Sequence, residues 1–132
     1  YFIVSLQKKG VKMKFNELSN NQKSKYYLKN YSKWREMNRA QHKVFFIIYS
    51  DFIDKNILRK INGNALKLYI YLGMNSKNDT GESWHSIESI AKYFGKSPRT
   101  ISYWLSELEE HNLIKRMQLE INKEAHTYLQ PY

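Results

Sequence analysis

Cysteine is absent from this 132-residue chain, which excludes a disulfide framework and a thiolate metal site. The four histidines, His42, His85, His111 and His126, have neither His-x-His nor His-Glu-x-x-His spacing, so a zinc or relaxase-type centre has no ligand set. Glycine is scarce: five residues stand singly, and none forms a phosphate-cradling loop. The two prolines, Pro98 and Pro131, both fall at expected element boundaries. No apolar run approaches the ~20 residues of a membrane span. Tyr1 to Leu6 is apolar but far too short, and it lacks the cleavage pattern of a secretory signal. Tyr103 has no Arg and His cluster that could activate it as a nucleophile. These absences lead to the expectation of a non-enzymatic protein with no cofactor, no metal and no membrane contact, placed in the cytoplasm.

What is present points to a compact domain with an appendage. Hydrophobic residues make up 42% of the chain and aromatics 15%, enough to fill a core. The net charge of +10 is unevenly spread. Up to Lys43, eleven Lys and Arg stand against two Glu; from Val44 onward, eleven stand against ten acidic residues. This divides the chain into a basic Lys/Tyr-rich arm, 1–43, and a nearly neutral domain, 44–132. Such an arm suits a polyanion, or else a lysine-rich solvated surface. The chain opens on Tyr1, and Met13 stands as a candidate start that would make residues 1–12 upstream sequence. Lysine outnumbers arginine 17 to 5, and with 12 Asn and 12 Ile the usage favours A/T-rich codons.

Within the arm, Asn20 to Gln41 lacks Gly and Pro, and spaces Tyr27, Tyr31 and Trp34 as one helical stripe. Lys23, Lys25, Lys29, Lys33, Arg35 and Arg39 flank it. The stripe is expected to pack on the neighbouring domain or to form a homodimer seam; stacking on single-stranded bases is the alternative.

The strongest local signal runs from Ser86 to Arg116. Ser86 is placed to cap a helix carrying Ile87, Ile90, Ala91 and Phe94 on one face. Gly95 ends that helix, because glycine takes the left-handed backbone without strain. Ser97 then caps a second helix with Pro98 at its first position, where a missing N–H costs nothing. At about 100° per residue, Trp104, Leu105 and Leu108 fall within about 60° of Ile101. Arg99, Ser102, Tyr103 and Ser106 lie about 100° to 160° away, on the opposite side. One side must be buried; the other offers a guanidinium, a phenol and hydroxyls beside the positive pole of the helix. Glu107, Glu109 and Glu110 would repel phosphate from the far end, with Glu107 read as a solvated partner of His111.

Elsewhere the reading is coarser. Val44 to Ile53 is rich in β-branched and aromatic residues and reads as a short strand, or as a buried helix segment. Asp54 is expected to cap Lys55 to Ile61, with Ile57, Leu58 and Ile61 sharing a face. Asn62-Gly63-Asn64 breaks the chain, and Ala65 to Met74 follows as a helix with Ala65, Leu66, Tyr69, Ile70 and Leu72 mostly inward. Asn75 to Gly81 reads as a loop. Glu82 to His85 leaves room for one short strand, with Trp84 as a core or sheet anchor. Leu113 to Ile121 and Ala125 to Leu129 read as a hairpin with Asn122-Lys123-Glu124 at its tip.

Ala91, Gly95, Ile101 and Trp104 are spaced like the small, glycine and apolar positions of the helix-turn-helix motif. Ser97-Pro98-Arg99-Thr100-Ile101 resembles the start of the recognition helix in winged-helix regulators. Leu113-Ile114-Lys115-Arg116 and the alternating runs after it look like their wing. The resemblance covers roughly residues 44 to 132. It is closest to winged helix-turn-helix DNA-binding proteins of plasmids, phages and conjugative elements in low-GC Gram-positive bacteria. It implies a mainly α fold with a small β wing (α+β), preceded here by a basic helical extension. It also implies double-stranded DNA as partner, with helix 97–111 in the major groove.

The expected DNA-contacting set is Ser86, Lys96, Ser97, Pro98, Arg99, Thr100, Ser102, Tyr103 and Ser106 around the motif. Lys115, Arg116, Lys123 and His126 join it from the wing, and Lys29, Lys33, Arg35 and Arg39 from the arm. A transcriptional regulator associated with nucleoid or plasmid is the first expectation. A replication initiator, a conjugative-transfer accessory protein, or part of a longer initiator is the second. A winged-helix protein adaptor is the third.

Overall fold

A computed structural model describes residues 3–6 and 11–132, with side chains from residue 13 onward. The suggestion that residues 1–12 precede a start at Met13 falls in part on 1, 2 and 7–10, outside the described residues. The chain divides into two compact units, Tyr1–Lys43 and Val44–Tyr132.

In the first unit, β1 (Ile3–Leu6) and β2 (Val11–Lys14) form an antiparallel hairpin that the sequence reading did not foresee. A short 3-10 turn, Phe15–Glu17, leads to Leu18, which is buried. Helix α1 (Asn20–Ala40) then runs for 21 residues. Its start is fixed by a reciprocal cap: the Gln22 N–H donates to Ser19 Oγ, and the Ser19 N–H donates to Gln22 Oε1. Phe15 sets its ring against Tyr26 and Tyr27, but α1 itself contains no buried residue.

The second unit is an α+β winged helix. Helices α2 (Asp51–Asp54), α3 (Ile57–Lys60), α4 (Gly63–Met74), α5 (Ile87–Phe94) and α6 (Pro98–Glu110) accompany a sheet of β3 (Glu82–Ser83), β4 (Ile114–Gln118) and β5 (Ala125–Leu129). The sheet order is β3-β5-β4, antiparallel throughout. Its core gathers Ala65, Leu68 and Leu72 of α4, Ile90 and Ala91 of α5, and Ile101, Leu105 and Leu108 of α6, closed by Leu113 and Ile114. Three side-chain caps set the helix starts: Asn62 for α4, Ser86 for α5 and Ser97 for α6. Gly95 takes φ 63°, and the Lys96 N–H behind it returns to the Ala91 carbonyl, so the turn between α5 and α6 is closed locally.

Several expectations are corrected. Residues 44–53 form no strand: 43–49 is irregular, and 51–54 winds into α2. The apolar side chains there answer to distant partners rather than to a neighbouring strand. The Phe46 ring lies on Gly73, where a Cβ would overlap it, and meets Tyr69 edge-on. Phe52 stacks on Tyr69 and Tyr132. Val44, Phe45, Ile47 and Ile48 stay exposed. Asp54 caps nothing, because Asn56 adopts the left-handed conformation and splits the segment into α2 and α3. Leu58 faces outward while Ile61 is buried. In α4, Ile70, expected inward, is exposed, and Leu68, for which no position was expected, is fully buried. The hairpin strand stops at Gln118, so its tip is longer than expected and leaves Ile121 exposed. Trp84 lies outside the core: it is 43% exposed, with His126 edge-on and Lys77 Nζ 4.7 Å over its ring.

Candidate nucleic-acid interface

Helix α6 is built to present one side. Ile101, Leu105 and Leu108 are 0%, 3% and 0% exposed, while Arg99, Tyr103 and Ser106 lie open to solvent. Burial of the first three fixes the rotation of the helix, and so fixes which side chains remain outside. Trp104, at the margin, meets Phe94 edge-on.

The start of α6 is preorganised. Ser97 Oγ accepts the Thr100 N–H at 3.2 Å and lies 3.0 Å from Thr100 Oγ1. Pro98 occupies the first turn, which holds no acidic residue. Arg99 Nε donates to the Tyr103 hydroxyl at 3.2 Å, with its guanidinium carbon 5.8 Å above that ring. Guanidinium and phenol are therefore linked on an exposed ridge. Ser102 is different: its hydroxyl donates back to the Pro98 carbonyl, so its donor is already used. Lys96 is exposed in the turn just before, and Ser86 Oγ caps α5 by accepting the Ser89 N–H.

Of the four wing residues expected to reach DNA, two are engaged within the fold. Lys115 and Lys123 are exposed. Arg116 is turned inward, because it alternates with buried Ile114 on the same sheet face and stands opposite buried Thr127. One of its terminal nitrogens, Nη1, is buried without a hydrogen-bond partner. Burial lowers its pKa, opposed by the charges of Glu109 and Glu88. His126 is also withdrawn from phosphate: its Nδ1 lies 3.0 Å from Glu82 Oε2, and its ring packs on Trp84. The His126 hydrogen bond is the first cause of a lowered Glu82 pKa. Glu107 is no free helix end either, since Oε2 accepts the Asn62 N–H at 2.8 Å and ties α6 to the cap of α4.

On α1, Lys29, Lys33, Arg35 and Arg39 are all exposed. Thus Arg99, Tyr103 and Ser106 share one exposed side of α6 and Lys96 and Ser97 are exposed just before it, whereas Arg116 is turned inward and His126 is engaged with Glu82. Lys77, absent from the expected set, is brought over Trp84 by the turn in which its N–H donates to the Glu82 carbonyl. Among the described residues, no three His, Asp or Glu side chains gather as a metal site. No helix among them is long and apolar enough to cross a membrane.

Residues 59–114 match the family model of a helix-turn-helix domain. The match runs from α3 to the first residue of β4, taking in α4, α5 and α6. Comparison with curated proteins and with solved structures gives no match.

Proposed function

We propose that this chain is a sequence-specific double-stranded DNA-binding protein, a transcriptional regulator of a mobile genetic element acting in the cytoplasm. The similarity of 59–114 to a helix-turn-helix domain supports DNA as the partner. The observation that carries the reading is the open edge of α6, with Arg99 and Tyr103 coupled at its N-terminal end. A major groove about 12 Å wide admits one helix, and the first two turns of α6 are the part that can enter. Arg99 reads a guanine edge or holds a flanking phosphate; Tyr103 and Ser106 meet base edges or backbone. Ser97 and Thr100 meet phosphate at the positive helix pole. Lys115, Lys123 and the cations of α1 add contacts that strengthen binding without selecting sequence.

Selection of bound fragments from random and genomic DNA, followed by footprinting, tests this. A defined site is expected, and Arg99→Ala should weaken specific binding by ~1–3 kcal/mol and relax one position of the site. Sites at promoters support regulation, whereas sites at a replication or transfer origin would reassign the role. Failure to shift any duplex would remove the proposal and favour an adaptor that binds protein.

A further inference from the structure

Helix α1 carries a second surface whose chemistry differs from that of α6. Tyr27, Tyr31, Trp34 and Met37 are 58%, 61%, 57% and 55% exposed. They share one side of the helix and, with Asn30 and Lys33, line a shallow depression of about 430 Å³. The Tyr31 and Trp34 rings stand 5.5 Å apart, tilted by 43°, so each keeps an outer face open.

The charges around this side narrow what could cover it. Along α1, six Lys and Arg accompany a single carboxylate, Glu36. By helical geometry Lys33 and Arg35 lie about 100° to either side of Trp34, whereas Glu36 lies about 160° away on the back. Lys23 falls on the aromatic side itself, within about 20° of Trp34. A second copy of α1 laid on this face would bring like-charged rows together, with no carboxylate at hand to offset them. A polyanion carrying flat apolar rings meets both features at once. In a duplex the base faces are hidden against one another; in a single strand they are free to stack.

We propose that the aromatic side of α1 binds single-stranded nucleic acid, with bases stacked on Tyr31 and Trp34 and phosphates met by Lys23, Lys33 and Arg35. Recognition is tolerant of sequence, because every base offers a ring face and every linkage a phosphate. This binding uses no residue of α6 and shares with the helix-turn-helix reading only the α1 cations, Lys33 and Arg35 among them.

The test uses the full chain and a labelled oligo-dT of about 15 nucleotides, followed by fluorescence anisotropy. The chain should bind it, and Tyr31→Ala with Trp34→Ala should weaken binding about tenfold or more. Trp34→Phe, which keeps a ring, should stay within about threefold of the native affinity. Lys33→Gln with Arg35→Gln should make binding less salt-dependent, a readout that lost folding would not imitate. Arg99→Ala should leave oligo-dT affinity unchanged, which separates this surface from the α6 edge. Absence of oligo-dT binding, or equal affinity in the ring-deleted variant, would overturn the proposal. A dimer-to-monomer change in sedimentation on ring deletion, with oligo-dT affinity unmoved, would overturn it too and make the stripe a homodimer seam.

Discussion

Two tyrosines show how position decides what a phenol does. Tyr103 is exposed, and its hydroxyl accepts from Arg99. Tyr69 is 2% exposed, packed against Phe46 and Phe52. Burial, then the charge and hydrogen bond of Tyr132, pushes its pKa up from 10.0 to about 12. The unfolded chain therefore releases this proton at lower pH than the folded one. Stability held by the neutral phenol is complete below about pH 10 and drains away as pH climbs through about 12. Tyr69→Phe should flatten that alkaline limb, read as urea midpoints across the range; an unaltered limb would assign the loss to other groups. Arg116 shows the same lesson for a cation: a wing guanidinium turned inward cannot serve as a phosphate clamp, whatever its place in the sequence.

At the scale of elements, what was legible was what is decided locally. Ser86, Gly95, Ser97 and Pro98 stop and start two helices through bonds that span no more than five residues, and each sits where its chemistry requires. The buried side of α6 was legible for a similar reason, since a 3.6-residue period needs no knowledge of the rest of the chain. The irregular run and short helix that replace the strand expected over 44–53 were not legible. Phe46 and Phe52 are held by α4 and Tyr132, contacts that no local period encodes. The inward turn of Arg116 and the pairing of His126 with Glu82 depend on β3-β5-β4 register, which the imperfect alternation around Met117 left undetermined. The turn between α5 and α6 offers a clean check. A Cβ at Gly95 would meet nothing within 4 Å, so Gly95→Ala tests backbone strain alone. At φ 63° the cost should be about 1–2 kcal/mol in chemical denaturation. A loss well below that would mean the turn relaxes rather than strains.

For the molecule as a whole, charge is the property that matters beyond any one contact. The basic excess resides in residues 1–43, while 44–132 is almost balanced. On the reading proposed above, a domain of little net charge would gain affinity mainly from cations outside its recognition helix. If six or more phosphates are neutralised in the complex, affinity for duplex should fall about a thousandfold or more between roughly 50 and 200 mM salt. A salt titration followed by anisotropy measures that slope. A nearly flat response would mean that the excess of lysine is a solvated coat with no share in binding.

The contact between Phe46 and Gly73 has one further consequence. The aromatic ring rests on bare main chain, so a fit that tight works like a key in a slot cut to admit only one blank. The irregular run around it is fastened there and again at Tyr49, whose N–H donates to the Tyr132 hydroxyl at 2.8 Å. Its greasy neighbours Val44, Phe45, Ile47 and Ile48 stand in water between those two anchors, an irregular stretch that a protease should cut in limited digestion before it cuts α4 or α6.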